Sequence, residues 1–126
     1  MDRKILVVDD EAAIRNAFEL AFRKAGYSVY SAENARDAME LLKKEHIPVM
    51  FLDLNMPEMS GVELVRRIRQ NDPIAIINAV TGYTSLFDLA DCREAGFDDY
   101  FTKPVELSVL CKAAADAFEK LDRWVQ

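Results

Sequence analysis

Short apolar runs recur along the chain at nearly even intervals, each followed by an amphipathic stretch. Residues 5–8 (Ile-Leu-Val-Val) form a continuous branched run, the pattern of a strand buried on both faces. Similar runs begin at Tyr27, Pro48, Ile74 and Asp98, the first counted from Lys4, so the spacings are 23, 21, 26 and 24 residues. Each spacing suits one strand and one returning helix. The helical stretches carry their own punctuation. Ile14, Ala17, Phe18, Ala21, Phe22 and Ala25 keep a helical period up to Gly26, Asn34 opens a second helix, and Ser60 with Glu63 reads as a capping box. Pro73 stops the third helix, residues 85–95 form a fourth closed by Gly96, and a fifth runs over about residues 105–124. Five such units predict an α/β fold, a doubly wound parallel sheet with helices on both faces.

At 126 residues there is room for one well-cored domain. A hydrophobic share of 51% excludes global disorder, and a net charge of −6 without a basic patch argues against direct nucleic-acid binding. No apolar run is long enough to span a membrane, and residues 1–8 do not read as a signal peptide. Cys92 and Cys111, far apart and without a CxxC spacing, read as reduced thiols, so a cytoplasmic setting is expected.

In an open parallel sheet, ligands bind beyond the carboxyl ends of the strands. The first strand ends in Asp9-Asp10, the third in Asp53, the fourth in Thr81-Gly82 and the fifth in Thr102-Lys103-Pro104. Singly, each has a bland reading as a helix cap or surface charge. Together they place three carboxylates, a hydroxyl and an ammonium at one edge. Clustered carboxylates repel one another, and a hard divalent cation relieves them; two carboxylates and a carbonyl suit magnesium, with manganese as a substitute. The ammonium and hydroxyl suit phosphoryl oxygens, and an aspartate can itself be the nucleophile. The residues therefore point to magnesium-assisted phosphoryl transfer to a carboxylate.

With its Val7-Val8-Asp9-Asp10-Glu11, Leu52-Asp53 to Ser60-Gly61, Val80-Thr81-Gly82 and Ala95 to Pro104 segments, the chain resembles the receiver domain of two-component response regulators, including the chemotaxis type. The resemblance covers about residues 4–121. It implies a flavodoxin-like sheet of order 2-1-3-4-5 with five helices. It implies Asp53 as phosphoacceptor, Asp10 as a direct magnesium ligand, Asp9 acting through water, and the Asn55 backbone carbonyl completing the site. Thr81 and Lys103 would contact the phosphoryl group, Thr81 and Tyr100 would form the switch, and Pro57 and Pro104 would shape loops, the latter through a peptide that is often cis in the family. Asn55 and Tyr83 are placed to limit water access. The implied donor is a sensor histidine kinase or a histidine phosphotransfer protein. The implied readout is a changed surface of the fourth helix, fifth strand and fifth helix, acting on an unidentified output protein or domain, as a monomer or a phosphorylation-dependent dimer. The domain would catalyse only its own phosphorylation and dephosphorylation.

A phosphatase of haloacid dehalogenase type is the alternative, but it wants an aspartate two residues after the nucleophile, where Asn55 stands. A flavodoxin-like nucleotide or flavin binder wants a glycine-rich phosphate loop after the first strand, where Asp9-Asp10-Glu11 stands. His46 reads as a solvated loop residue, and Met50, Met56 and Met59 as packing. Ile14 and Leu20 could help dock a partner, although core packing accounts for Ile14 equally. The apolar end of the last helix, Trp124 and Val125, either meets a partner, a dimer mate or a continuing linker, or folds back on the core.

Overall fold

A computed structural model describes residues 3–82 and 89–125; the side chains of residues 89, 90, 124 and 125 lie outside it. Expectations for Tyr83, for the start of the fourth helix at residue 85 and for the packing of Trp124 and Val125 therefore fall outside the described residues. The elements alternate as β1 (Lys4–Val8), α1 (Ala12–Lys24), β2 (Ser28–Ala32), α2 (Ala35–Lys44), β3 (Val49–Leu52), α3 (Gly61–Asn71), β4 (Ile76–Thr81), α4 (Leu89–Ala95), β5 (Asp99–Thr102) and α5 (Leu107–Val125). All strand pairs are parallel, and the sheet order is β2-β1-β3-β4-β5.

The period-two alternation of the strands sorts their side chains onto two cores. Leu6, Val8, Met50, Leu52, Ile77 and Ala79 pack with Ala38 of α2, Leu64 of α3 and Cys92 of α4. Ile5, Val7, Val49, Phe51, Ile76 and Val80 pack with Phe18 and Phe22 of α1 and with Leu110 and Phe118 of α5. The sheet is thus covered on both faces, which is why its central strands read as continuous apolar runs. Tyr27 stacks on Phe118 with ring centroids 5.2 Å apart, and the Arg3 guanidinium lies over the same ring. These contacts fasten α5 to the sheet's lower edge.

Some boundaries differ from those the sequence suggests. β4 begins at Ile76, and Ile74 is 66% exposed. The Asp72 carboxylate accepts hydrogen bonds from the Ile74 and Ala75 N–H groups, which prolongs the turn after Pro73 and delays the strand. β2 begins at Ser28 and ends at Ala32, and α5 begins at Leu107, two residues after the expected start. Ala17 is exposed, so α1 seats itself mainly on Phe18 and Phe22. The Ser60 hydroxyl accepts from the Glu63 N–H at 3.2 Å, but the Glu63 carboxylate pairs outward with Arg67, so only half of the expected capping box forms.

One side chain fastens the lower edge on the other face. The Arg69 guanidinium, on α3, donates to the carbonyls of Pro73 and Ala75 before β4, to the Gly96 carbonyl after α4, and to the Asp98 carboxylate at 2.7 Å. Asp98 in turn accepts from the Ile77 N–H of β4 at 2.8 Å. The three carbonyls lie at chain turns, so removing the guanidinium takes a partner from several acceptors at once. Arg69→Met is expected to cost about 2–3 kcal/mol, read as a lower urea midpoint at constant slope. A shift under about 0.5 kcal/mol would remove Arg69 from the list of anchors.

Candidate functional site

The in-phase register brings the polar strand ends together. Val8 pairs with Leu52 and Leu52 with Ala79, so Asp9 and Asp53 follow adjacent partners on neighbouring strands. The ladder continues past the strands: Asp53 N–H donates to Val8 carbonyl at 2.9 Å, and Lys103 N–H donates to Thr81 carbonyl at 2.8 Å. β1 lies between β2 and β3, so the chain leaves β1 and β3 in opposite directions and opens a crevice between them. Asp10, Glu11, Asp53, Asn55, Gly82 and Lys103 line a cleft of about 310 Å³ there.

Asp9 and Asp53 are buried, at 2% and 5% exposure, whereas Asp10 is exposed. One carboxylate oxygen from each of the three lies within 4.8 Å of the others. Hard oxygen donors this close, open to solvent on the Asp10 side, fit a divalent cation that keeps part of its water. Both Asp9 oxygens already have partners: Oδ1 accepts from Glu11 N–H at 2.9 Å, and Oδ2 accepts from Lys103 Nζ at 2.8 Å. Lys103 Nζ is also 3.7 Å from Asp53 Oδ2. The Lys103–Pro104 peptide is cis.

Burial pushes the Asp53 carboxyl up from its ordinary 3.8 to about 6. The Asn55 backbone hydrogen bond and the Lys103 charge oppose the shift, while Asp9 and Asp10 add to it. For Lys103, burial acts downward, but the hydrogen bond to Asp9 and the charges of Asp53, Asp9 and Glu11 outweigh it and raise the ammonium's pKa.

Asn55 does more than its sequence position suggests. Its backbone N–H donates to Asp53 Oδ1 at 3.2 Å, and its side-chain Nδ2 donates to Thr81 Oγ1 at 2.8 Å. Thr81 is fully buried at the end of β4. Arg15 of α1 donates to the Asp9 carbonyl at 2.8 Å, fixing the acidic turn from beneath. Neither side-chain bond has a signal in the sequence, because each needs the folded register. Tyr100, on edge strand β5, is partly buried, and its hydroxyl is enclosed without a hydrogen-bond partner among the described residues. Desolvation raises its pKa, with Cys92 adding to the effect. Pro57 is exposed on the loop above the cleft, where Glu58 takes a left-handed φ of 70°. Met56 and Met59 pack against the core beneath that loop, and His46 is 79% exposed at 3.5 Å from Asp72.

Gly61 lets α3 start directly against the acidic loop. A Cβ there would overlap the Asp53 carbonyl oxygen and the Leu54 Cα, both backbone atoms that cannot yield. At Gly82 the nearest atom to a built Cβ is 3.9 Å away. Gly61→Ala is therefore expected to cost about 1–3 kcal/mol in urea unfolding. Gly82→Ala, the matched control beside the same cleft, should stay within about 0.5 kcal/mol.

Because folding favours protonated Asp53, metal-free stability should fall as pH rises from about 4 through about 6 and then level off. Asp53→Asn removes the charge while keeping the shape. In chelator, the variant's advantage should grow from near zero at about pH 4 to on the order of 2–3 kcal/mol above pH 7. An advantage independent of pH would contradict the raised carboxyl.

Known proteins resemble this chain in sequence and fold. The response regulator receiver domain family matches residues 5–115. A cyclic di-GMP phosphodiesterase of Thermotoga maritima is 36% identical over 106 residues, covering 84% of this chain and 28% of that protein. Response regulator protein PilR of Pseudomonas aeruginosa is 36% identical over 115 residues, covering 91% of this chain and 26% of that protein. The chain thus spans about a quarter of the length of these relatives. The crystal structure of a CheY-like response regulator receiver domain protein from Methanospirillum hungatei superposes with a TM-score of 0.93 at 28% identity, covering 98% of each chain.

Proposed function

From the premise that the chain belongs to the response regulator receiver family of two-component signalling, we propose that it accepts a phosphoryl group from a phosphohistidine donor onto Asp53. The observation that carries the reading is the Lys103 ammonium set between Asp9 and Asp53, with Asp10 completing a three-carboxylate cluster at the same point. Asp53 has a carboxyl of about 6, so at neutral pH it is an ionised nucleophile. One of its oxygens attacks phosphorus in line. The new O–P bond forms as the P–N bond to the donor imidazole breaks, and that electron pair returns to the ring. Lys103 has a ready path in this step, because its short bond to Asp9 can be exchanged for a phosphoryl oxygen. The Thr81 hydroxyl donates to another phosphoryl oxygen.

The acidic pocket suits Mg²⁺, or Mn²⁺ in its place, which Asp10, Asp53 and the Asn55 backbone carbonyl would hold, with Asp9 acting through water; such a cation would supply positive charge against the phosphoryl oxygens. Asp9 is already engaged through both oxygens, which supports its indirect role. Asn55 does not supply the acid of a dehalogenase-type phosphatase, since a carboxamide, unlike the aspartate such an enzyme wants there, has no titratable proton to give. The domain is therefore a signalling module that catalyses its own phosphorylation and hydrolysis rather than an enzyme acting on outside substrates. A population shift involving Thr81 and Tyr100 changes the α4-β5-α5 surface for an output partner or domain. The Tyr100 hydroxyl, enclosed without a hydrogen-bond partner among the described residues, supports this, because a buried polar group gains by moving to a partner. Among the described residues no helix is long and apolar enough to cross a membrane. The thiols are free, and the reading places the domain in the cytoplasm.

Incubation with magnesium and acetyl phosphate should add one phosphoryl group to the chain, measured by intact mass. Chelator and Asp53→Asn should each abolish the adduct, and borohydride reduction should mark residue 53. An adduct that survives Asp53→Asn would overturn the assignment.

A further inference from the structure

Asn55 is the residue that touches both the proposed nucleophile and the proposed switch hydroxyl, through different groups. Its backbone N–H holds Asp53 Oδ1 at 3.2 Å, and its carboxamide Nδ2 holds Thr81 Oγ1 at 2.8 Å. The two oxygens lie at the ends of neighbouring strands, Asp53 directly after β3 and Thr81 on β4, 28 positions apart in sequence. Leu54, the preceding residue, is fully buried, and its carbonyl accepts from Gly61 N–H at 3.1 Å, so the short loop carrying Asn55 is fixed at both sides.

The polarity of the Thr81 contact matters. A carboxamide N–H can only donate, so Thr81 meets Asn55 with an oxygen lone pair. The hydroxyl hydrogen is thereby directed away from Asn55, whatever it meets at rest. A hydroxyl that already accepts a hydrogen bond is also a stronger donor, because successive bonds polarise one another. We propose that the Asn55 carboxamide is a positioning residue that ties the Thr81 hydroxyl to the Asp53 loop and presents it as a donor to the phosphoryl group. This rests on the phosphoryl-acceptor reading and adds a specific claim to it: the side chain of Asn55 acts through Thr81. It is separate from a backbone role at the metal, which any residue at this position could fill, and from shielding of the acyl phosphate against water.

A double-mutant cycle isolates that claim. The parent, Asn55→Leu, Thr81→Val and the double variant are each phosphorylated by acetyl phosphate under saturating magnesium, and the rate of adduct formation is measured. Asn55→Leu should slow the parent by about three- to tenfold, the worth of one hydrogen bond. In the Thr81→Val background the same change should alter the rate by no more than about twofold. Magnesium affinity, measured by titration calorimetry, should be the same in the parent and Asn55→Leu, since the backbone carbonyl remains. Asn55→Ala is carried through the same cycle, so that poor folding of the leucine variant does not decide the result. Equal slowing in both backgrounds, no slowing in the parent, or a slowing matched by lost magnesium affinity would each overturn the proposal. If the parent itself takes no phosphoryl group, the reading beneath it fails. If the parent is labelled and the cycle is additive, the role of Asn55 alone fails.

Discussion

Three carboxylates are forced into one corner because β1 and β3 are parallel, adjacent and in register, and the chain must leave them in opposite directions. Backbone geometry sets Asp9 and Asp53 side by side before any attraction between their surroundings is counted. Charges this close, two of them buried, would be expelled from the fold without a counter-ion. Lys103 provides it, and it does so from the residue directly after β5, an edge strand that pairs with β4. The edge strand is therefore held to the acidic corner by charge as well as by its ladder. The same bond places an ammonium beside Asp53 before any phosphoryl group arrives.

The two ends of the sheet are built differently. The lower end is fastened by groups that satisfy one another: Arg69 with three carbonyls and Asp98, and Arg3 with Asp122 and the Phe118 ring. The upper end keeps imbalances. Asp53 holds its carboxyl in a place that favours the neutral form, Glu58 holds a left-handed φ, and the Tyr100 hydroxyl is enclosed without a partner among the described residues. Strain of this kind persists only where surrounding structure over-determines it. Two apolar cores and the Arg69 anchor do that here.

How far the sequence discloses this depends on whether the cause is local. Strand and helix order follows from apolar period, and the polar strand ends are legible because each lies directly after its run. The start of β4 misleads because Ile74 extends an apolar run, while the turn that delays the strand is made by the Asp72 side chain. Contacts across elements are hidden. Lys103 meets Asp9 across 94 positions, and Arg69 meets Asp98 across 29. Arg69 reads in isolation as a surface charge on α3, since most of its partners are backbone carbonyls with no residue identity to betray them. Asn55 is legible as a loop residue beside Asp53, but its amide's bond to Thr81 exists only once β3 and β4 are paired.

That hidden bond changes how the site can carry a signal. If Thr81 were joined to Asp53 only through a phosphoryl group, the two would be independent at rest, and ordering the hydroxyl would oppose capture. With Asn55 between them, the Thr81 hydroxyl and Asp53 are joined through one residue before the proposed reaction. On the proposed reading, ordering would then be largely complete beforehand, and a phosphoryl group would mainly alter charge within a formed arrangement. A charge change is felt most where dielectric is low, as around the fully buried Thr81 at the end of β4. On the same reading, the fastened lower end would resist the same change, and the response would be confined to the surface nearest the site.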